Sequence, residues 1–423
     1  MSNKQQINFQ RLRSRGIPKG WDLVKLGNEK IALKLRSGGT PLTSNKKYWE
    51  NGDISFVKIE DITNSKKFLY KTKNKITKLG LENSSAWLVP PNSLLLSMYA
   101  SFGEVIINKI PVATNQAILG ICINEKNTNL DYIFYQLQNS KRDWLENIQE
   151  NTQKNLNAEI SKNFPILFPS LKEQQKIASI ISNVDELIQK TEQIIEQSQR
   201  LKKGLMQRLL TKGIGHTKFK KTEFGDIPFD WEIVNLEKIS SKFISGGTPS
   251  TSNISYWDGN IPWIRSAWIT GKYVSSGERY IAKLGLENSS AKLIPKDNVI
   301  VATRVSLGNV TINKIDVAIN QDLTGIIVDK SKIKSEYLYW ILLKESERIS
   351  FLSQGSTIRG ITREDLISFK IPLPPLQEQQ KIASILSNVD ELIQKIDQII
   401  KQTQRLKKGL MQQLLTGKIR VTV

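Results

Sequence analysis

The stretch LKEQQKIASIISNVDELIQK, Leu171 to Lys190, returns as LQEQQKIASILSNVDELIQK, Leu376 to Lys395, with Lys172 replaced by Gln377 and Ile181 by Leu386. The shift is 205 residues (376 less 171). A match of that length is an internal duplication, so the chain is one unit written twice. The same shift carries Arg200 to Gln207 onto Arg405 to Gln412, and Leu79 to Ala86 onto Leu284 to Ala291. Nearer the start of each unit loop lengths drift: Ser37-Gly38-Gly39-Thr40-Pro41 and Tyr48-Trp49 meet Ser245 to Pro249 and Tyr256-Trp257, and Ile17-Pro18 and Trp21 meet Ile227-Pro228 and Trp231.

The duplicated stretch predicts a long helix. Apolar or small residues at Ile180, Val184, Leu187, Thr191, Ile194, Ser198, Leu201 and Leu205 follow at alternating steps of four and three, a coiled-coil seam. The second copy repeats it at Ile385, Val389, Leu392, Ile396, Ile399, Thr403, Leu406 and Leu410. These residues are read as the helix-pairing seam, the two helices lying antiparallel so that a pseudo-two-fold axis relates the units; ordinary core helices are the alternative. A second apolar stripe, Ile177, Ile181, Ile188 and Ile195, runs beside the first. Together with Gln174, and with Gln379, Ile382, Leu386 and Ile393 in the copy, it is the candidate surface for docking a partner. Pro169 and Pro374-Pro375 mark the helix starts, and Gly213 and Gly417 the stops.

Each helix follows a globular part in which short apolar runs such as Ile54 to Ile59, Leu94 to Tyr99, Val105 to Ile107 and Ile118 to Ile123 sit between Gly, Pro, Asn and Ser, a β-rich pattern. A helix is expected around Leu130 to Ile148. The organisation read from this is α+β: an arm (1–16), a first β-rich domain (17–168), a long helix (169–212), a linker (213–226), a second β-rich domain (227–373), a second long helix (374–416) and a tail (417–423).

Lysine and arginine number 61 against 40 aspartate and glutamate, a net charge of +21. That excess favours a polyanion, nucleic acid first, over an anionic membrane surface or a merely solvated basic face. The N-terminus carries no apolar run of secretory length and no stretch is long enough to span a bilayer, so a cytoplasmic protein is expected. Cys122 reads as a buried thiol. The lone His216, without Cys or carboxylate neighbours in sequence, reads as solvated, and no metal site is expected.

The helices are nearly identical while the globular parts share only a frame. A surface presented twice suits two copies of one partner; altered faces on a common frame suit two different ligands read alike. Aligned positions that change chemically are therefore the candidate base readers: Lys58 against Arg265, Glu60 against Ala267, Tyr99 against Arg304, and Lys154 against Arg359. Neutral drift at the surface is the competing reading. The Ser-Gly-Gly-Thr loops, with Thr40 and Thr248, could bring backbone N–H groups to a phosphate or could be plain tight turns.

These features together resemble the specificity subunit of type I restriction-modification systems over essentially the whole chain. The carriers are Leu171 to Ala178, its twin Pro375 to Ala383, the closing Leu-Leu-Thr of each helix, Ser-Gly-Gly-Thr-Pro, Tyr-Trp, Ile261-Pro262-Trp263 and Ala318-Ile319-Asn320-Gln321. The first unit departs from the pattern where Ser55-Phe56 stands for Pro262-Trp263. The resemblance implies two target recognition domains, each reading half of a bipartite double-stranded DNA sequence, with the helices setting the spacer and docking two DNA methyltransferase subunits. Restriction/translocase subunits join that core. S-adenosylmethionine, ATP and Mg are then expected on partner subunits and none on this chain.

Absences agree with a non-catalytic subunit. The Pro-Pro pairs follow Val89 and Leu373, so a methyltransferase Asn/Asp-Pro-Pro-aromatic motif is missing. No Gly-x-x-x-x-Gly-Lys-Ser/Thr occurs, and no acidic residue stands two places before a lysine as in common metal-dependent nucleases. A coiled-coil assembly protein that binds nucleic acid without sequence preference is the alternative from another class, and a self-sufficient restriction enzyme the third.

Overall fold

The computed structural model describes residues 16–99, 103–141, 158–352 and 360–422. The chain divides into two compact units: residues 1–192 with 399–423, and residues 193–398. The class is α+β, built from two β-rich domains and a pair of long helices, Leu171–Lys212 and Leu376–Leu414.

In the first unit a five-stranded sheet runs in the order Ala32–Ser37, Ile118–Ile123, Leu94–Ser97, Val105–Asn108, Phe68–Leu69. A three-stranded sheet beside it orders Asn74–Ile76, Ile54–Val57, Ala113–Thr114. The central strands read as continuous apolar runs because the sheet is covered on both faces. Leu94 and Leu96 enter one core with Tyr132, Tyr135, Ile177 and Ile181, while Leu95 turns the other way to join Val57, Trp87 and Ile106. The strands expected from these runs are present: Ile54–Val57 and Leu94–Ser97 each end two residues early, Val105–Asn108 runs one residue further, and Ile118–Ile123 keeps its limits. A helix, Leu130–Asn139, covers the first face; its Tyr132 hydroxyl donates to the Leu167 carbonyl and its Gln136 amide to that of Leu415.

The second unit repeats this plan. Its five-stranded sheet orders Ser240–Ser245, Leu323–Val328, Val299–Ala302, Val310–Asn313, Tyr273–Val274. Its smaller sheet gains a strand: Arg279–Ile281, Ile261–Ile264, Val317–Ile319, Lys292–Ile294. Val299 and Val301 face Tyr337, Trp340, Ile382 and Leu386, and Ile300 faces Ile264 and Ile319. The segment expected as a linker is partly ordered: Phe219–Thr222 and Gly225–Pro228 pair as an antiparallel hairpin.

Within each unit the long helices run antiparallel. In the first, Asp185 pairs with Lys407 and Glu173 with Arg420; in the second, Lys202 pairs with Asp390, and Glu378 accepts from the Ile214 N–H. Sequence numbers rise on one strand of the pair as they fall on the other. Gly213 and Gly417 end the helices at φ +64° and +67°, where a Cβ would also strike Glu378 and Pro18 respectively.

The side chains on the helices correct two expectations. Leu187, Ile194, Leu201, Leu392, Ile399 and Leu406, expected in the pairing seam, are 49–57% exposed, and Ile385 is exposed too. Ile180, Val184, Leu205, Val389, Ile396 and Leu410 of that seam are half-buried. Conversely Gln174, Ile177, Ile181, Gln379, Ile382 and Leu386, expected to dock a partner, are fully buried, and Ile188 and Ile393 are half-buried. The reason is that the helix face nearest each β-rich domain packs into that domain's core, leaving the neighbouring heptad stripe facing solvent.

His216 is likewise not solvated. Its Nε2 lies 2.8 Å from Glu378 Oε1, and Glu378 Oε2 accepts from Trp231 Nε1 at 2.9 Å. In the first unit Arg420 stands in that position, holding Glu173 while Trp21 Nε1 donates to it at 3.1 Å.

Candidate nucleic-acid interface

In each unit the ends of several strands deliver loops to one edge, and several of the residues singled out for base reading stand there. In the second unit the loop after Ser245 places Thr248, whose hydroxyl donates to Gln321 Oε1 at 2.7 Å. The loop carrying Gln321 is tied to the end of Ile261–Ile264 by the Asn320 N–H to Ile264 carbonyl bond, 3.0 Å, so Arg265 is the next residue along. Thr303, at the end of Val299–Ala302, donates its N–H to the Asp322 carbonyl at 2.8 Å and accepts from the Ile361 N–H at 2.8 Å. Arg304 follows Thr303, its Cγ beside Gly360. Thr248, Arg265 and Arg304 are all exposed on this edge.

The first unit builds the same edge with other side chains. Thr40 donates to Gln116 Oε1 at 2.7 Å; the Met98 N–H donates to the Ala117 carbonyl at 2.8 Å, bringing Tyr99 next to that loop. Strand Ile54–Val57 runs parallel to Ala113–Thr114 and leads into Lys58, which lies 5.8 Å from the Trp49 ring centroid. Glu60, in the short helix that follows, reaches Lys73 at 3.7 Å; Ala267 occupies the corresponding turn of the second unit. Lys154 and Arg359 lie outside the described residues.

Two details bear on what the edge can do. Arg265 Nε donates to Glu278 Oε1 at 2.7 Å while its side chain remains 58% exposed, so its other N–H groups are presented to solvent in a fixed orientation. Ser306, two residues beyond Arg304, sits at φ 58°; the other non-glycine residues at positive φ among those described are Asn51, Asn92 and Asp297, which tolerate it.

The glycine pairs correct the phosphate-cradle expectation. The Gly38 N–H donates to Ile118, Gly39 to Thr114 and Gly247 to Ile319, so these amides are already satisfied. A Cβ on Gly38 would come within 2.0 Å of the Thr114 carbonyl and one on Gly246 within 2.0 Å of that of Ile319. The glycines permit backbone packing, and what the loop offers outward is the threonine–glutamine pair. Gln116, Gln321 and Glu278 were missed from the sequence; the first two share the 205-residue shift and could have been found by it. Among the described residues no group of three or more His, Cys, Asp or Glu is placed to hold a metal ion, and no helix is long and apolar enough to cross a membrane.

The comparisons with known proteins follow this architecture. The family described as type I restriction modification DNA specificity domain matches residues 18–199 and again 228–405. A putative type I restriction enzyme MjaX specificity subunit of Methanocaldococcus jannaschii is 31% identical, the alignment covering 99% of this chain and 98% of that one. The MjaVIII specificity subunit of the same organism is 28% identical over 99% of this chain and 97% of its own. Among solved structures, a chain of a type I R-M system superposes with a TM-score of 0.60 at 19% identity, covering 95% of this chain and 99% of that one. The HsdS subunit of Thermoanaerobacter tengcongensis gives 0.51 at 16% identity, covering 95% and 98%. At those identities the superpositions speak for the fold.

Proposed function

Because the chain belongs to the type I restriction modification DNA specificity domain family, we propose that it is the subunit that addresses a restriction-modification complex to DNA, each β-rich domain reading one half of a bipartite sequence. The observation that carries this reading is the repeated edge. One frame, with the same Thr–Gln pair, displays Lys58 and Tyr99 in one unit and Arg265 and Arg304 in the other. Arginine and lysine can bind guanine O6 and N7 in the major groove, and glutamine can pair with adenine N6 and N7. The frame would set orientation and the differing side chains would set sequence.

On this reading the chain performs no chemistry itself, acts in the cytoplasm, and leaves S-adenosylmethionine, ATP and Mg to its partners. The two DNA methyltransferase subunits dock on the exposed heptad stripes, Leu187, Ile194 and Leu201 on one helix and Leu392, Ile399 and Leu406 on the other. Six half-exposed aliphatic side chains at seven-residue spacing form apolar strips that a partner helix would bury. Restriction/translocase subunits join through that methyltransferase core.

Exchanging single readers tests the proposal. Replacing Tyr99 with Arg should alter one half-site, and replacing Arg304 with Tyr the other, each leaving the remaining half-site as it was in methylation mapping of cellular DNA. An unchanged pattern in both would remove these residues from the reading surface. A complex with steep salt dependence and no sequence preference would instead favour a nonspecific assembly protein.

A further inference from the structure

One constellation outside the reading edge occurs twice at the 205-residue shift. In the first unit Lys67 enters between the sheet and both long helices with its side chain 15% exposed. Its ammonium donates to the Tyr135 hydroxyl at 3.0 Å and to Ser182 Oγ at 3.2 Å, and pairs with Asp131 at 3.0 Å. It also lies 5.4 Å from the Phe134 ring centroid. The Tyr135 hydroxyl donates onward to Asp185 at 2.7 Å, and Asp185 pairs with Lys407 of the second helix at 2.6 Å. One lysine thus ties its sheet strand to the covering helix, to the start of one long helix and, through two relays, to the end of the other.

The second unit repeats the arrangement with Lys272, Tyr339, Trp340, Ser387, Asp390 and Lys202. Lys272 is 6% exposed, donates to Ser387 Oγ and lies 5.3 Å from the Trp340 ring centroid. Trp340 Nε1 donates to the same Ser387 oxygen at 3.3 Å, and Asp390 pairs with Lys202, which itself lies over the Trp340 ring. Burying an ammonium is costly, and burial pushes Lys272 below the ordinary lysine range. A leucine or methionine would fill the space at less cost. Hydrogen bonds from a buried cation have a different use: they select one orientation of the packed elements where an apolar contact would allow several.

Resting on the reading of the chain as a bipartite DNA-recognition subunit, we propose that Lys67 and Lys272 are positioning residues that fix the angle at which each β-rich domain is carried by its helix pair. They thereby determine how strictly the complex demands one spacer length between the half-sites. The reading residues recognise bases; these lysines hold the readers in phase.

The test uses the full chain in complex with its methyltransferase subunits and duplexes that share both half-sites but differ by one base pair in the spacer. The wild-type complex should methylate the correct spacer strongly over its neighbours. In the Lys67→Met and Lys272→Met variants that preference should fall by roughly tenfold, with half-site sequence unchanged and the correct-spacer duplex still methylated. Lys67→Arg, which keeps the charge and donors, should keep most of the preference. Should a methionine variant fail to fold, Tyr135→Phe combined with Ser182→Ala removes the two hydrogen bonds to the covering helix and the long helix while leaving the lysine and its Asp131 pair in place, and a flattening in the same direction is expected. A uniform loss on all duplexes, or an unchanged spacer preference, overturns the inference. If the wild-type complex methylates no two-block sequence, the underlying functional reading fails instead.

Discussion

The buried glutamines show how a conspicuous residue can have a purely structural reason. Gln174 accepts from the Asn129 N–H at 2.9 Å and donates to the Pro169 carbonyl at 2.9 Å; Gln379 does the same with Lys334 and Pro374 at 2.9 and 2.8 Å. Replacing either with Ala strands a buried backbone donor and acceptor, so each substitution should lower stability by about 2 kcal/mol in denaturant titration while partner affinity of the folded protein changes little. Buried phenols supply a second expectation at this scale. Burial raises Tyr132, Tyr135, Tyr337 and Tyr339 above the ordinary tyrosine value of 10.0. Above that pH the unfolded chain releases protons that the fold retains, so the stability these groups contribute is complete below pH 10 and is lost as pH rises further. Lys272, lowered from 10.5, acts the opposite way below that value, but one group opposes five, since burial raises the half-exposed Tyr273 as well. Thermal unfolding followed from pH 8 to 11 should therefore show a falling midpoint at the alkaline end.

At the scale of elements, the helices were legible in length and limits but not in which face they bury. Leu171–Lys212 and Leu376–Leu414 begin after the prolines and end before the glycines as expected. Two apolar stripes per helix were also visible, yet both satisfy helical periodicity, and no local pattern says which one the chain's own domains will cover. Burial of Ile177 and Ile181 against the sheet decided it. The exposed stripe makes a prediction that separates binding from folding: Ile194→Asp with Ile399→Asp should leave the melting temperature within a few degrees yet abolish co-purification of methyltransferase subunits. Co-purification of both at wild-type yield would move the dock elsewhere. Gly204 and Gly409 lie within these helices with open space where a Cβ would stand. Changing either to Ala should stabilise the protein by roughly 0.5–1 kcal/mol, read from the denaturation midpoint.

For the whole molecule, the duplication was the most informative feature of the sequence, because comparing two copies inside one chain stands in for comparing relatives. It located Arg265 and Arg304, which the fold brings to one edge, since a residue that changes on a fixed frame marks a place the frame does not constrain. It passed over Lys67 and Lys272 for the converse reason: they do not change, and their meaning lies in contacts with helices more than a hundred residues away. It misread His216, whose partner Glu378 is remote in sequence. The proposed function makes the two domains separate readers of one bipartite sequence. Methylation mapping of DNA from cells expressing the chain with its methyltransferase subunits tests this most directly. Two short specified blocks separated by an unspecified spacer of constant length are predicted; methylation at a single contiguous block, or scattered without a shared sequence, would contradict it.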